Sequence, residues 1–242
     1  MGALMKKVLV ALAAAASLAT PSISATNLIS NGDFELGNVG FTSDLTYVAP
    51  DANPSVQNEL YAPNTYSVGT SAVQFHNAWA DYPGVGGTGN YMIINGSEQL
   101  NTIWKNAEAI DLGPGTYQFS FYLSDACCNA GVDNGIDPAP PGLWISLNGN
   151  SNLLNTTRLT QPEGTPAGTW TKVSAEFTVA APGSSVFIGI VNDQTAYTGN
   201  DFAIDSINLS AVPEASTWAM MLVGFGLAGA ASRRRRAVLS FN

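Results

Sequence analysis

One histidine, two adjacent cysteines, eighteen carboxylates and a few aromatic rings on polar strand faces are the chemistry-bearing residues of this 242-residue chain. His76 stands alone in Phe75-His76-Asn77-Ala78-Trp79. A hydrolytic triad needs such a base beside an activated nucleophile, and no serine here sits in a nucleophile-elbow context. The same count excludes a histidine-built metal site, so His76 reads as a hydrogen-bonding loop residue. Glycoside hydrolysis asks only for two carboxylates across a cleft, but nothing in the sequence selects a pair. The inventory favours binding over turnover, and the chain is expected not to be an enzyme.

Aromatic residues are the more informative group, because sugar C–H faces stack on flat rings with polar rims. Tyr122 and Trp144 each point away from the apolar side of their own strand, Phe119-Phe121-Leu123 for the first and Leu143-Ile145-Leu147 for the second. Together they form the expected glycan platform. Trp79 and Tyr82 lie in loop-like contexts and are candidates for a glycan site built from loops; the plainer reading is that such rings cover a core. Cys127 and Cys128 are the only cysteines. Cα atoms across a trans peptide are about 3.8 Å apart, below the usual disulfide range of roughly 4.4–6.8 Å. A vicinal disulfide is the expectation, with intermolecular pairing or free thiols as alternatives. Asp133-Asn134-Gly135-Ile136-Asp137 holds oxygen donors but does not fit an EF-hand, and reads as a solvated acidic loop.

The elements that must position these residues are strands. Tyr117, Phe119, Phe121 and Leu123 alternate with Gln118, Ser120, Tyr122 and Ser124, a period of two. Leu143–Leu147, Lys172–Val179 and Val186–Ile190 repeat it, and Tyr91–Ile94 and Ile103–Leu112 bring the count to roughly eight strands. Gln57–Tyr66 and Asp125–Pro141 read as long loops. No helical period appears between Thr26 and Ala211, so two packed antiparallel sheets are predicted. Along Phe202–Leu209 the apolar positions 202, 204, 207 and 209 slip by one residue at Asp205-Ser206, which predicts a β-bulge there.

Both ends carry targeting segments. Lys6, Lys7, the apolar stretch Val8–Leu18 and the small residues up to Ala25 describe a signal peptide, 1–25, cleaved after Ala25 or Ser24. At the other end, Trp218–Ala231 has no ionisable side chain and Arg233, Arg234, Arg235 and Arg236 follow. That run is short for a spanning helix of about 20 residues, but lead-in residues and snorkelling arginines extend it, leaving the arginines cytoplasmic. Between residues 26 and 211, three cations (Lys105, Arg158 and Lys172) face seventeen carboxylates, a net of −14. Such a surface repels phosphate backbones, so no nucleic-acid partner is expected.

Val212-Pro213-Glu214-Ala215, then Trp218, then the arginines resemble the PEP-CTERM sorting signal, with Ala215 in place of the family's second proline. The resemblance implies a short transmembrane helix, recognition by an exosortase (a membrane-embedded cysteine transpeptidase) and cleavage near Pro213-Glu214; an ordinary C-terminal anchor is the alternative. It divides the chain into signal peptide 1–25, domain 26–211, sorting signal 212–236 and cytoplasmic tail 237–242. Asn27–Glu35, read as a first strand and an Asn-Gly turn, together with Phe202–Leu209 and Gly89–Gly96, resembles galactose-binding-like jelly rolls among carbohydrate-binding modules. That likeness implies an all-β antiparallel jelly-roll β-sandwich and a structural calcium where first and last strands meet, bringing Glu35 near Asp205. The joint expectation is an exported surface or matrix protein of a Gram-negative bacterium. Tethered at first to the inner membrane, it would be processed by the exosortase and associated with exopolysaccharide in biofilm. The alternatives are a purely structural or adhesive envelope protein and a polysaccharide hydrolase or lyase.

Overall fold

Strand alternation sorts the side chains onto sheet faces, and in this computed structural model two of those faces close on each other. The structure describes residues 26–51, 60–131, 133–149, 154, 158–196, 199–213 and 221–229. Twelve strands occur among them: β1 (Phe41–Thr42), β2 (Thr46–Tyr47), β3 (Thr65–Gly69), β4 (Tyr91–Asn95), β5 (Asn101–Asn106), β6 (Ile110–Leu112), β7 (Gly115–Asp125), β8 (Leu143–Leu147), β9 (Thr171–Val179), β10 (Ser184–Val186), β11 (Ile188–Asn192) and β12 (Asp201–Ala211). A six-stranded sheet, β2-β3-β4-β12-β7-β9, packs on a four-stranded one, β1-β5-β11-β8, with β10 and β6 paired separately. All pairings are antiparallel except β2 with β3. Phe119, Phe121 and Leu123 of β7, Ile188 and Ile190 of β11, and Leu143 and Ile145 of β8 meet in the core between the sheets. The all-β sandwich read from the sequence is the architecture of the chain.

Three details differ from the expectation. Residues 26–35 form no strand: Asn27 and Leu28 lie along β12 through hydrogen bonds to Ile207 and Leu209, and Ile207 N–H donates to the Gly32 carbonyl. The Gln57–Tyr66 loop ends earlier than read, because Thr65 already belongs to β3. Ile103–Leu112 and Val186–Ile190 each divide between two strands, since Asn106 turns its amide inward to the Val186 carbonyl and accepts the Ile188 N–H. The bulge at Asp205-Ser206 is present: β12 pairs Asp205 with Tyr122 and then Asn208 with Ser120, and Ser206 has φ 52°.

Both faces of β4 are buried. Met92 and Ile94 enter the sandwich core, whereas Tyr91 and Ile93, with Ala203 of β12, face outward. There they are covered by Ala72, Phe75, Trp79, Tyr82 and residues 126–128. This second core belongs to the loops, not to the sandwich. A buried amide pair ties the sheets at one end: Asn192 Nδ2–H, on β11, donates to Asn200 Oδ1 just before β12, at 2.7 Å. At the far end residues 221–229 are helical. Among the described residues no helix is long and apolar enough to cross a membrane. Glu214, Ala215, Trp218 and Arg233–Arg236, like the signal peptide, lie outside the described residues.

Candidate functional site

β11 runs down the middle of the four-stranded sheet, and its outward residues set the floor of the outer face. Gly189 pairs with Lys105 of β5 on one side and Ser146 of β8 on the other; Val191 lies between Thr102 and Trp144. Leu143 and Ile145, on either side of Trp144 in sequence, are fully buried in the core, so the indole projects from the opposite face. Its Nε1–H donates to Asp193 Oδ2 at 2.7 Å, and Asp193 Oδ1 accepts the Arg158 Nε–H at 2.6 Å. Two charge-assisted bonds therefore hold the ring in one orientation before any ligand arrives.

Two residues along β8 from Trp144, Ser146 helps to border a cavity of about 420 Å³ with Thr102, Lys105, Asn148 and Phe187. Gly189 keeps it open: a β-carbon there would come 2.8 Å from Ser146 Oγ and 3.4 Å from Thr102 Cγ2. Phe187 is 37% exposed. Its backbone is pinned by Asn148, whose side chain accepts the Phe187 N–H at 2.7 Å and whose own N–H donates to the Phe187 carbonyl. Two fixed rings with hydroxyl, amide and ammonium groups between them suit a polar ligand that carries apolar faces.

Tyr122 is elsewhere. It belongs to β7 in the six-stranded sheet, paired with Asp205 and Lys172, and it too faces away from the core. Tyr122 and Trp144 thus project from opposite outer faces of the sandwich and cannot share one ligand. Trp79 and Tyr82 cannot act as contact rings either, because they are core residues, 0% and 7% exposed. Trp79 stacks on His76 at 5.0 Å and donates to Asp201, and Tyr82 stacks on Tyr91 at 5.5 Å. Burial raises the Tyr82 hydroxyl well above its ordinary pKa. The sequence reading passed over Lys105, Arg158, Phe187 and Gly189. Phe187 carried the signal used for Trp144, a large ring between core residues of its strand.

Glu35 and Asp205 hold one loop from its two ends. Glu35 Oε1 accepts the Asn90 N–H and Asp205 Oδ2 the Val85 N–H, each at 2.8 Å. A β-carbon on Gly84, between them, would lie 2.7 Å from the Thr88 carbonyl oxygen, 3.2 Å from that of Gly89 and 3.3 Å from Asp205 Oδ2. The Thr88 and Gly89 carbonyls and the Asp205 carboxylate thus crowd Gly84, with the Glu35 carboxylate against the same loop at Gly89. Among the described residues no three His, Cys, Asp or Glu side chains gather as a metal site, so carbonyls would have to complete any coordination. An all-oxygen set of carboxylates and carbonyls is the donor chemistry calcium takes. Burial, with a smaller contribution from the Asp33 charge, raises Asp205 to about 6 against the pull of its backbone hydrogen bonds.

Cys127 and Cys128 are bonded to each other in the structure, and the peptide between them is cis. They lie in the second core beside Trp79. Asp137, expected in a solvated loop, is instead buried there, and its carboxylate accepts the Ala139 and Asp201 N–H groups. Burial raises Asp125 to about 7, Asp137 to about 6 and Asp201 to about 8, with neighbouring carboxylates adding to each shift. Burial also lowers His76, so its ring is neutral at pH 7.

Residues 211–236 match the PEP-CTERM protein-sorting motif, which marks the chain as exported and sorted through the membrane. No curated protein matches this sequence. Among solved structures, the chain is similar to the Stig cyclase Fisc from Fischerella sp. TAU (16% identity, TM-score 0.51, covering 78% of this chain and 99% of that one). It is also similar to the CBM22-1 xylan-binding domain of Xyn10C from Paenibacillus barcinonensis (14% identity, TM-score 0.42, 76% and 93% covered). A third likeness is to TmCBM61, solved with β-1,4-galactotriose (13% identity, TM-score 0.42, 78% and 100% covered). The likeness to Fisc is one of fold, and a fold does not assign a function.

Proposed function

We propose that the domain is a non-catalytic glycan-binding module that engages saccharide across the outer face of its four-stranded sheet. One observation carries this reading: Trp144 is held outward by Asp193 and Arg158 on the same sheet face as an open cavity bordered by Ser146 and Phe187. The two residues are separated by two rows of the sheet, about 14 Å along the strands. A short oligosaccharide can bridge that distance, stacking on both rings while its hydroxyls meet Thr102, Ser146 and Asn148. Fixing the rings in advance removes ordering entropy that binding would otherwise have to overcome. Replacing Trp144 by alanine is expected to lower polysaccharide affinity about tenfold or more. Tyr122→Ala, on the other sheet, should leave affinity unchanged. Affinity electrophoresis through polysaccharide-containing gels measures both variants, with circular dichroism as the check on folding. Equal behaviour of the two would refute the site.

The sorting segment supports delivery as well. In this reading an exosortase cuts near Pro213-Glu214 and releases the domain from the inner membrane to the surface or matrix of a Gram-negative cell, where exopolysaccharide is the partner. The intact mass of the protein from cells with the transpeptidase should then be short by the tail, and full-length from cells without it. An uncut tail in both would reduce the segment to an anchor. Calcium between Glu35, Asp205 and the carbonyls of Thr88 and Gly89 is proposed as a structural cofactor.

A further inference from the structure

We infer that the glycan is acidic, and that Lys105 receives the carboxylate of a hexuronate residue stacked on Phe187. The inference rests on the glycan-binding reading and deepens it. Cations are scarce on this domain: Lys105, Arg158 and Lys172 face seventeen carboxylates between residues 26 and 211. Two of the three nevertheless lie on this one face. Arg158 is neutralised by Asp193, the sole ion pair among the described residues. Among the described residues Lys105 has no carboxylate partner. Its ammonium instead stands 5.6 Å from the centroid of the Phe187 ring.

That placement matches the shape of a hexuronate. The carboxylate projects from the rim of the sugar ring, so a sugar lying flat on Phe187 brings its charge toward an ammonium held just off the aromatic face. Ser146 adds a second, independent pointer. Its hydroxyl stands over Gly189 and borders the cavity. Lys105 and Ser146 flank Gly189 from opposite sides in the same row of the sheet, so they present an ammonium and a hydroxyl to one ligand. The domain's net charge does not forbid this. Distant carboxylates are screened beyond about 8 Å at physiological salt, whereas the Lys105 contact forms within that distance.

The test uses the purified protein with galacturonan, mannuronan and glucuronan, each beside its fully methyl-esterified form, which keeps the sugar and removes the charge. At least one polyuronate is expected to bind about tenfold more tightly than its ester, the size of one charge-assisted contact of about 1.4 kcal/mol. Lys105→Met should abolish that preference, lowering affinity for the polyuronate about tenfold, to that for its ester. Trp144→Ala should weaken both forms together. If esters bind as well as acids, or if Lys105→Met keeps the preference, the acidic assignment fails while glycan binding stands. If no polymer binds in either form and neutral glycans fail too, the glycan reading itself falls. Equal binding of dextran sulfate would show a general polyanion contact and overturn the hexuronate assignment.

Discussion

Lowering the buffer from about pH 8.5 to about pH 6 is expected to raise the melting temperature of the domain by about 8–16 °C. The cause is the buried trio Asp125, Asp137 and Asp201, raised by burial to about 7, 6 and 8 from an ordinary value of 3.8. An acid whose pKa is raised by folding is held neutral in the native state and ionises freely in the unfolded chain. Its stabilising contribution is complete below 3.8 and is lost as pH rises through the folded value. Between about pH 6 and pH 8.5, Asp201 loses about two units and Asp125 about one, and at about 1.4 kcal/mol per unit the loss is on the order of 4 kcal/mol. His76 opposes the trend only on the acid side, since its lowered pKa removes stability below the ordinary 6.5. Asp201→Asn keeps an acceptor for the Trp79 indole and should flatten the profile, as should Asp125→Asn. A melting temperature that is flat or rises toward pH 8.5 would show that these carboxyls are ionised and solvated.

How much of this was legible in the sequence depends on what periodicity can carry. Alternation along Tyr117–Leu123 and Leu143–Leu147 identified which residues face away from the core, and the structure agrees for Tyr122 and Trp144 alike. It did not identify the sheet. Face is a local property of a strand, whereas sheet membership is set by pairing partners far along the chain, β12 and β9 for Tyr122 but β11 for Trp144. The second core was hidden for a related reason. Tyr91-Met92-Ile93-Ile94 is apolar on both faces, which signals a strand covered twice, but the covering residues lie in loops with no period of their own. Trp79 and Tyr82 therefore looked available in sequence and are buried in space. The bulge was legible because a one-residue slip in an alternating pattern has few other solutions. Lys105 was visible only as a scarce cation, and its value emerged once β5 placed it across Gly189 from Ser146.

Calcium in excess is expected to raise the melting temperature, and a chelator to reverse the rise. A ligand bound only by the folded state at about 100 times its dissociation constant adds about 2.7 kcal/mol, which is about 5–10 °C for a domain of this size. The oxygen set is already drawn together by the fold. The bulge at Ser206 turns Asp205 to the Val85 N–H, the N-terminal segment brings Glu35 to the Asn90 N–H, and the Thr88 and Gly89 carbonyls converge with Asp205 near Gly84. Magnesium should do less, because it requires a tighter octahedron and dehydrates reluctantly. Glu35→Gln retains an oxygen to accept the Asn90 N–H while removing a charge, so it should fold and lose most of the calcium response. Gly84→Ala should lose it too, since its methyl would push against the Thr88 and Gly89 carbonyls and the Asp205 carboxylate. Differential scanning fluorimetry with calcium, magnesium and chelator reads all of these outcomes. A melting temperature indifferent to calcium and chelator would leave Glu35 and Asp205 as acceptors for two backbone amides, holding the 84–90 loop without a metal.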